Sequence, residues 1–461
     1  MSLALIALVP VFTELAMSIA RRQLLMHSAA LSGAVVALLG TGRQVASAAA
    51  PGLDPASLAD QTAGLQAAID GAAAKGEALR LGAGAFHCST LGLPSGTRIS
   101  GVPGATRLVF TGGPGFLVAS KAHGIILEGL VIDGASQPLD AKTADGLITF
   151  AGCKDVTLRA LTVTGSLING ISLKQCSGLI AGCSVRDCGQ TAIFTIDAQG
   201  LAITGNKVGG IGNNGIQVWR SDAGEDGTLV AHNRVSHIEA RDGGDGPNGN
   251  GINVFRAGSV QVLGNRVSDC AFSAIRANSA SNIQIIGNSC ERLGEVAIYA
   301  EFAFQGAVIS DNLVEGASLG ISVTNFNEGG RLAVVCGNLL RNLQRKSASG
   351  EDLGVGIAIE ADTSVTGNVI EAAARVGIHA GWGAYRRDIA ITGNVVRASP
   401  IGIGLASDEA GGAVLVAQNL ISGASAGGIR RMDHADPVGP DLAKDGAGAA
   451  AGLTIGGNVS A

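Results

Sequence analysis

Proline is scarce in this 461-residue chain, with 11 in all, and its 70 glycines follow no three-residue period. Those lacks exclude collagen and a Pro/Gly-rich disordered chain. Charged residues make up only 15% of the sequence, the formal net charge is -5, and no basic run occurs. Nothing here supports nucleic-acid binding. The apolar stretch near the N-terminus, 26–40, is short for a membrane span, so no permanent anchor is expected. Aromatic residues are few, and the only two Trp and two Tyr become informative once the chain's period is known.

What is present is repetition. LAITGNKV (201–208) returns as VQVLGNRV (260–267), IQIIGNSC (283–290), AVISDNLV (307–314), IAITGNVV (389–396) and LTIGGNVS (453–460), with looser copies around Asn233, Asn338, Asn368 and Asn419. Between the copies recurs a Gly or Ala followed by Ile, as in GISL (170), GIQV (215), GINV (251), AIRA (274), AIYA (297), GISV (320), GIAI (356) and GIHA (377). Successive copies at 251, 274, 297 and 320 are 23 residues apart. A chain that repeats at this period builds one coil many times and grows in one dimension, so its length does not imply several domains.

Apolar residues alternate within the Asn-ended element, as in Leu201 and Ile203 or Val260 and Val262. A period of two means strands with one face inward. About 23 residues hold three short strands and three turns, and copies running in the same direction pair in parallel. The fold class is therefore all-β, a right-handed parallel β-helix of about a dozen coils. The Gly-Asn pair suits a sharp turn, because both residues tolerate left-handed backbone and stacked Asn amides can bond from coil to coil. These Asn are expected to be scaffold. A solenoid must hide its open ends. After Asp60, an expected N-cap, TAGLQAAIDGAAAKG (62–76) puts Leu65, Ile69 and Ala72 on one helical face to cover the first coil. No such cap is visible at the other end, where 430–452 reads as a loop before the last strand.

Arg21-Arg22 precede the apolar stretch, and Ala46-Ser47-Ala48 has the small-x-small form of a cleavage site. This resembles a twin-arginine export signal cut near Ala48, and the apolar residues 1–16 upstream point to Met17 as the start. The expected organisation is a signal over 1–48 and one β-helix domain over 49–461, with a cap at 49–76, coils at 77–429 and a loop plus last coil at 430–461. Eight Cys recur at similar places in successive coils, as Cys153 and Cys176 do, and read as small buried fillers.

DQTAGLQAAIDGAAAKG (60–76), LRLGAGAF (79–86) and LGLPSGTRISGVPGATRL (91–108) together resemble the entry segment of the pectate-lyase-like β-helix superfamily, which includes polygalacturonases, lyases and mannuronan epimerases. Joined to the leader and the Gly-Asn repeat, the chain resembles the family of twin-arginine-translocated repeat proteins. The resemblance covers 18–461 and implies a fold and no single reaction, since the polygalacturonase strings Asn-Thr-Asp, Asp-Asp and Gly-His-Gly are absent. It implies a periplasmic or secreted protein, with the twin-arginine translocase as a partner during export, and a substrate groove along the Gly-Ile strands.

With Ile252 and Val254 inward, two columns face outward from those strands. One runs Ser172, Phe194, Gln217, Asn253, Arg276, Tyr299, Ser322, Ala358, His379; the other runs Lys174, Ile196, Trp219, Phe255, Asn278, Glu301, Thr324, Glu360, Gly381. Trp219, Tyr299, Trp382 and Tyr385 all fall on these strands or just past them. Rings beside amides, Arg and Glu suit sugar faces and hydroxyls. The expected ligand is therefore a polysaccharide or other envelope glycan. Two intervals, 215 to 251 and 320 to 356, are each 13 residues longer than the 23-residue period, and the extra residues would wall the face.

Glu301 and Glu360, two coils apart at roughly 9.6 Å from strand spacing, are either ordinary solvated or Arg-paired strand carboxylates or the acid and base of an inverting glycosidase. Tyr299, Arg276 and Asn278 would then position the sugar. A lyase or epimerase would instead draw on Arg276, Arg256, Tyr299 and His379. Asn325, Asn327, Glu328, Trp382 and Tyr385 could line the groove from the following loops. No cofactor is called for, and GEDG (224–227) and DGGDGPNGN (242–250) are too loose for a metal set. A non-catalytic envelope solenoid with a binding face remains open beside these enzymes.

Overall fold

The computed structural model describes residues 47–48, 52–140, 142–244, 246–324, 329–408, 411–444 and 452–461. The export signal, apart from 47–48, and Asn325, Asn327 and Glu328 lie outside the described residues. Among these residues the protein is a parallel β-solenoid of about 14 turns with one helix near its N-terminal end. Two sheets of 15 strands and one of 16 run its length. Each strand pairs in parallel with its counterpart one coil away, except at the last rung of the Gly-Ile sheet. The Gly- and Pro-rich stretch 78–110 builds the first coils: Ala78–Arg80, Gly84–Cys88 and Leu91–Gly92 each enter a different sheet.

The core is a single apolar column of stacked Ile, Val and Leu, as alternation with inward Leu201, Ile203 and Val208 requires. Seven of the eight Cys are buried within the solenoid, Cys336 is partly exposed, and none is paired. Among the described residues no helix is long and apolar enough to cross a membrane.

All ten repeated Asn form one ladder. From Asn206 to Asn458, each side-chain Nδ2 donates at 2.9–3.0 Å to the Oδ1 of the Asn in the next coil, and the same Oδ1 accepts the preceding Asn's backbone N–H. The second Nδ2 hydrogen goes to a carbonyl of the previous coil, as from Asn288 to Val262. The scaffold reading holds, with one change of mechanism. The left-handed residue is the one before each Asn: Gly264 (φ 60°) and Gly287 (φ 68°) hold it, and so do His232, Asp311 and Gln418 where Gly is missing. The Asn itself supplies the bonds.

The capping helix spans Thr62–Lys75, buries Leu65, Ile69 and Ala72, and ends at Gly76 in the left-handed conformation. Gln61 occupies the N-cap position, while Asp60 sits one residue earlier and accepts the Thr62 N–H at 2.9 Å. At the other end, part of the supposed loop is ordered pairing: Gly427–Asp433 turns back antiparallel on Asp436–Asp441. Asp441 fixes this hairpin by accepting the Gly428 and Ile429 N–H groups.

Candidate functional site

The Gly-Ile strands carry the outward columns in the expected register. Ser172 to His379 are successive partners across nine strands, and Lys174 to Thr324 across seven. The second column breaks beyond Thr324. The strand Val355–Ile359 ends before Glu360, so Glu360 and Gly381 are not rung partners of Glu301. Six coil steps separate Gln217 from His379, so the face between them is about 29 Å long.

Three neighbourhoods share this face. At the first, a groove of 390 Å³ is lined by Trp219, Phe194, Gln217, Asn169, Asn248 and Asp145, among others. Trp219 stands edge-on between Phe194 and Phe255, at 5.7 Å from each ring. Its Nε1 donates to Asn253 at 3.0 Å, which fixes the indole's rotation. Gln217 accepts from Thr191 at 2.8 Å. The longer interval before Asn250 forms a wall, as expected: Asn214 donates to the Pro247 carbonyl, and Asn213 donates to Asp242. Arg256 lies at the exposed edge, over the Phe255 ring and donating to the Ser221 carbonyl.

The middle of the face is closed. Arg276 grips Glu301 with two donors, at 2.6 and 3.0 Å, and Asn278 adds a third at 3.1 Å. Glu301 is 2% exposed. The Arg276 guanidinium also lies 4.8 Å over the Tyr299 ring, and burial, reinforced by Glu295, pushes the Tyr299 phenol above its ordinary range. Both Glu301 oxygens face partners and not open groove, so this quartet works as one packed, charge-balanced floor.

Towards the C-terminal end, a pocket of 330 Å³ gathers His379, Trp382 and Glu360 with Arg375, Leu353 and Met432. The second long interval supplies one wall through Asp352 and Leu353, and the terminal hairpin supplies another through Met432 and Ala435. Arg375 ties the two walls, donating to the carbonyls of Asp352 at 2.8 Å and Ala435 at 2.7 Å. Tyr385 is exposed beyond this pocket and does not line it.

Several lining residues were not foreseen. Asn169 and Asn214, both in the first groove, stand immediately before Gly-Ile in the sequence, as does Asn250, which is buried and donates its backbone N–H to Asn214; the recurring Asn-Gly-Ile is a readable sign of a second amide row. Arg375, Met432 and Ala435 had no sign, because the hairpin that brings Met432 and Ala435 over the face was read as a loop.

A family model described as the right-handed β-helix region matches residues 105–235 and 222–396. No curated protein matches the chain in sequence. Among solved structures, the pre-mature gene product 12 of bacteriophage phi29 superposes with a TM-score of 0.61 at 16% identity, over 84% of this chain and 57% of that one. This chain therefore spans little more than half the length of the phage protein. A PL6 alginate lyase in complex with a trisaccharide gives a TM-score of 0.51 at 14% identity, over 83% and 86% of the two chains. The A-module of a mannuronan C-5 epimerase from Azotobacter vinelandii gives 0.48 at 16% identity, over 89% and 97%. Identities this low speak to fold alone, and the fold agrees with the family model: this chain belongs to the right-handed β-helix family.

Proposed function

We propose that this protein binds a polysaccharide lengthwise along the Gly-Ile face, outside the cytoplasm. The observation that carries the reading is Trp219, half-buried and rotationally fixed, at a groove whose lining pairs the apolar Phe194 and Ile168 with the amides of Asn169, Gln190, Asn214, Gln217 and Asn248 and the Asp145 carboxylate. An aromatic ring offers the apolar face of a sugar a flat partner, and Asn, Gln and Asp beside it match hydroxyls. A PL6 alginate lyase of similar fold is known with a trisaccharide, so a glycan is a ligand compatible with this architecture. The export reading rests on Arg21-Arg22 and Ala46-Ser47-Ala48 in the sequence.

Binding is the primary reading and cleavage the secondary one, because Glu301 has both oxygens engaged by Arg276 and Asn278. One experiment separates them. The protein is incubated with plant, algal and bacterial envelope polysaccharides while retention on the polymer, new reducing ends and near-ultraviolet-absorbing unsaturated ends are measured. Retention without product is the expected result. New reducing ends that vanish in Glu301→Gln and in Glu360→Gln alike would make the two carboxylates the acid and base, and unsaturated ends would assign a lyase. No retention on any polymer would overturn the proposal.

A further inference from the structure

The pocket at the C-terminal end of the face differs in chemistry from the amide-lined groove. Its walls are mainly Leu319, Leu353, Val355, Val376 and Met432, which pack with Val296 and Ile401 into an apolar cluster outside the solenoid core. Asp352 and Glu360 place carboxylates at its edge, and two Arg375 nitrogens are already engaged by carbonyls. An anion finds little there, and a sugar ring would leave most of its hydroxyls unmet.

One polar atom inside does lack a partner. His379 is 8% exposed, and its Nε2 makes no hydrogen bond among the described residues. In its Nδ1–H tautomer the neutral ring has only Nε2 left to accept a bond. Nε2 is then a bare acceptor in an apolar pocket. Trp382 stands edge-on at 5.9 Å from the His379 ring and 5.1 Å from His434, which holds the imidazole in place.

We infer that this pocket is a binding site for a neutral aromatic group carrying one hydroxyl, a phenol-type ligand whose O–H donates to His379 Nε2 while its ring lies among Leu353, Val376, Met432 and Trp382. An apolar protein cavity of about 150 Å³ accepts benzene, and 330 Å³ leaves room for a substituted ring. The site stands apart from the glycan reading, since neither its ligand nor its test involves a polysaccharide.

The test uses 4-ethylphenol and its methyl ether, 4-ethylanisole, with the full protein at pH 7.5 and titration followed by ligand-observed NMR. The phenol should bind roughly tenfold more tightly than the ether, the effect of filling a buried acceptor. His379→Phe keeps a ring in the wall and removes the acceptor, so it should abolish that preference and leave ether binding unchanged. Ala358→Leu, which adds bulk to the pocket lining, should remove both ligands. Equal binding of the two probes to the wild type, no binding of either, or a preference that survives His379→Phe would each overturn the assignment.

Discussion

The Asn ladder, at the turn between the other two sheets, and the Gly-Ile face both run the length of the solenoid, yet one is closed at every coil and the other only at its middle. In the ladder, the side-chain amides find both of their partners inside the protein, the next Asn and a carbonyl of the previous coil, at 2.8–3.0 Å. On the face, the repeat permits a different side chain at every rung: Phe194, Gln217, Asn253, Arg276, Tyr299, Ser322, Ala358 and His379 are partners in one column. Regularity in a solenoid therefore marks satisfied turns, and surface free to meet something else is sought where it is interrupted and the new side chains do not satisfy one another, as Arg276 and Glu301 do.

The sharpest way to break the ladder is at its middle. Asn288→Ala removes the acceptor for two Asn265 donors and the donors to Asn312 and to the Val262 carbonyl. Asn288 is 1% exposed, so water cannot replace them all. At 1–3 kcal/mol for each buried group left unmet, a loss of about 3–5 kcal/mol is expected. Urea denaturation followed by circular dichroism would measure it. A loss below about 1 kcal/mol would show that the ladder is ornamental, and the contrast with the face would fail.

A smaller effect separates the two regions by pH. Burial, and after it the Arg375 cation, pushes His379 down to about 4 from its ordinary 6.5. The unfolded ring then takes up a proton that the folded ring refuses. Stability from this group is complete above pH 6.5 and lost as pH falls towards 4, by about 3 kcal/mol. Arg375, Asp352, Glu360 and His434 surround the ring in both proteins, so the comparison of wild type with His379→Phe isolates the imidazole. The variant's denaturation midpoint should therefore fall less steeply between pH 6.5 and 5. Parallel pH profiles would place the ring in contact with water.

What could be read beforehand follows the same division. Period and alternation fixed the coil, the inward faces and the outward columns, because a strand's two-residue repeat leaves no freedom once Ile252 is inward. Arg pairing of Glu301 was one open reading, and spacing alone could not choose it. Nothing in the spacing of Arg276 and Glu301 distinguishes a carboxylate facing a groove from one held by its neighbour, and that depends on rotamers. Glu360 illustrates a second limit: the 13 added residues kept the coil count intact, while the strand ended one residue short of the extrapolated column. The hairpin at Gly427–Asp441 was hidden for a third reason, since its Pro, Gly and Asp residues suit loops as well as an edge strand.

The smallest structural effect should accompany a clear functional one. Trp219 is half-buried, touching Phe194 and Phe255 by ring edges, so Trp219→Ala should shift the denaturation midpoint far less than Asn288→Ala does. Polysaccharide affinity should nevertheless fall about tenfold, since one aromatic platform contributes on the order of 0.5–1.5 kcal/mol beyond its buried area. Affinity electrophoresis on the polymer that retains the wild type would record it. Trp219→Phe refines the result, because Phe keeps a ring and loses the Nε1 bond to Asn253. Partial recovery with Phe would assign the affinity to the ring face, whereas a loss equal to that of Ala would assign it to the indole's fixed orientation. Unchanged affinity in both variants would mean that the irregular rungs at this end are packing like the ladder, and the groove would lose its claim to the glycan.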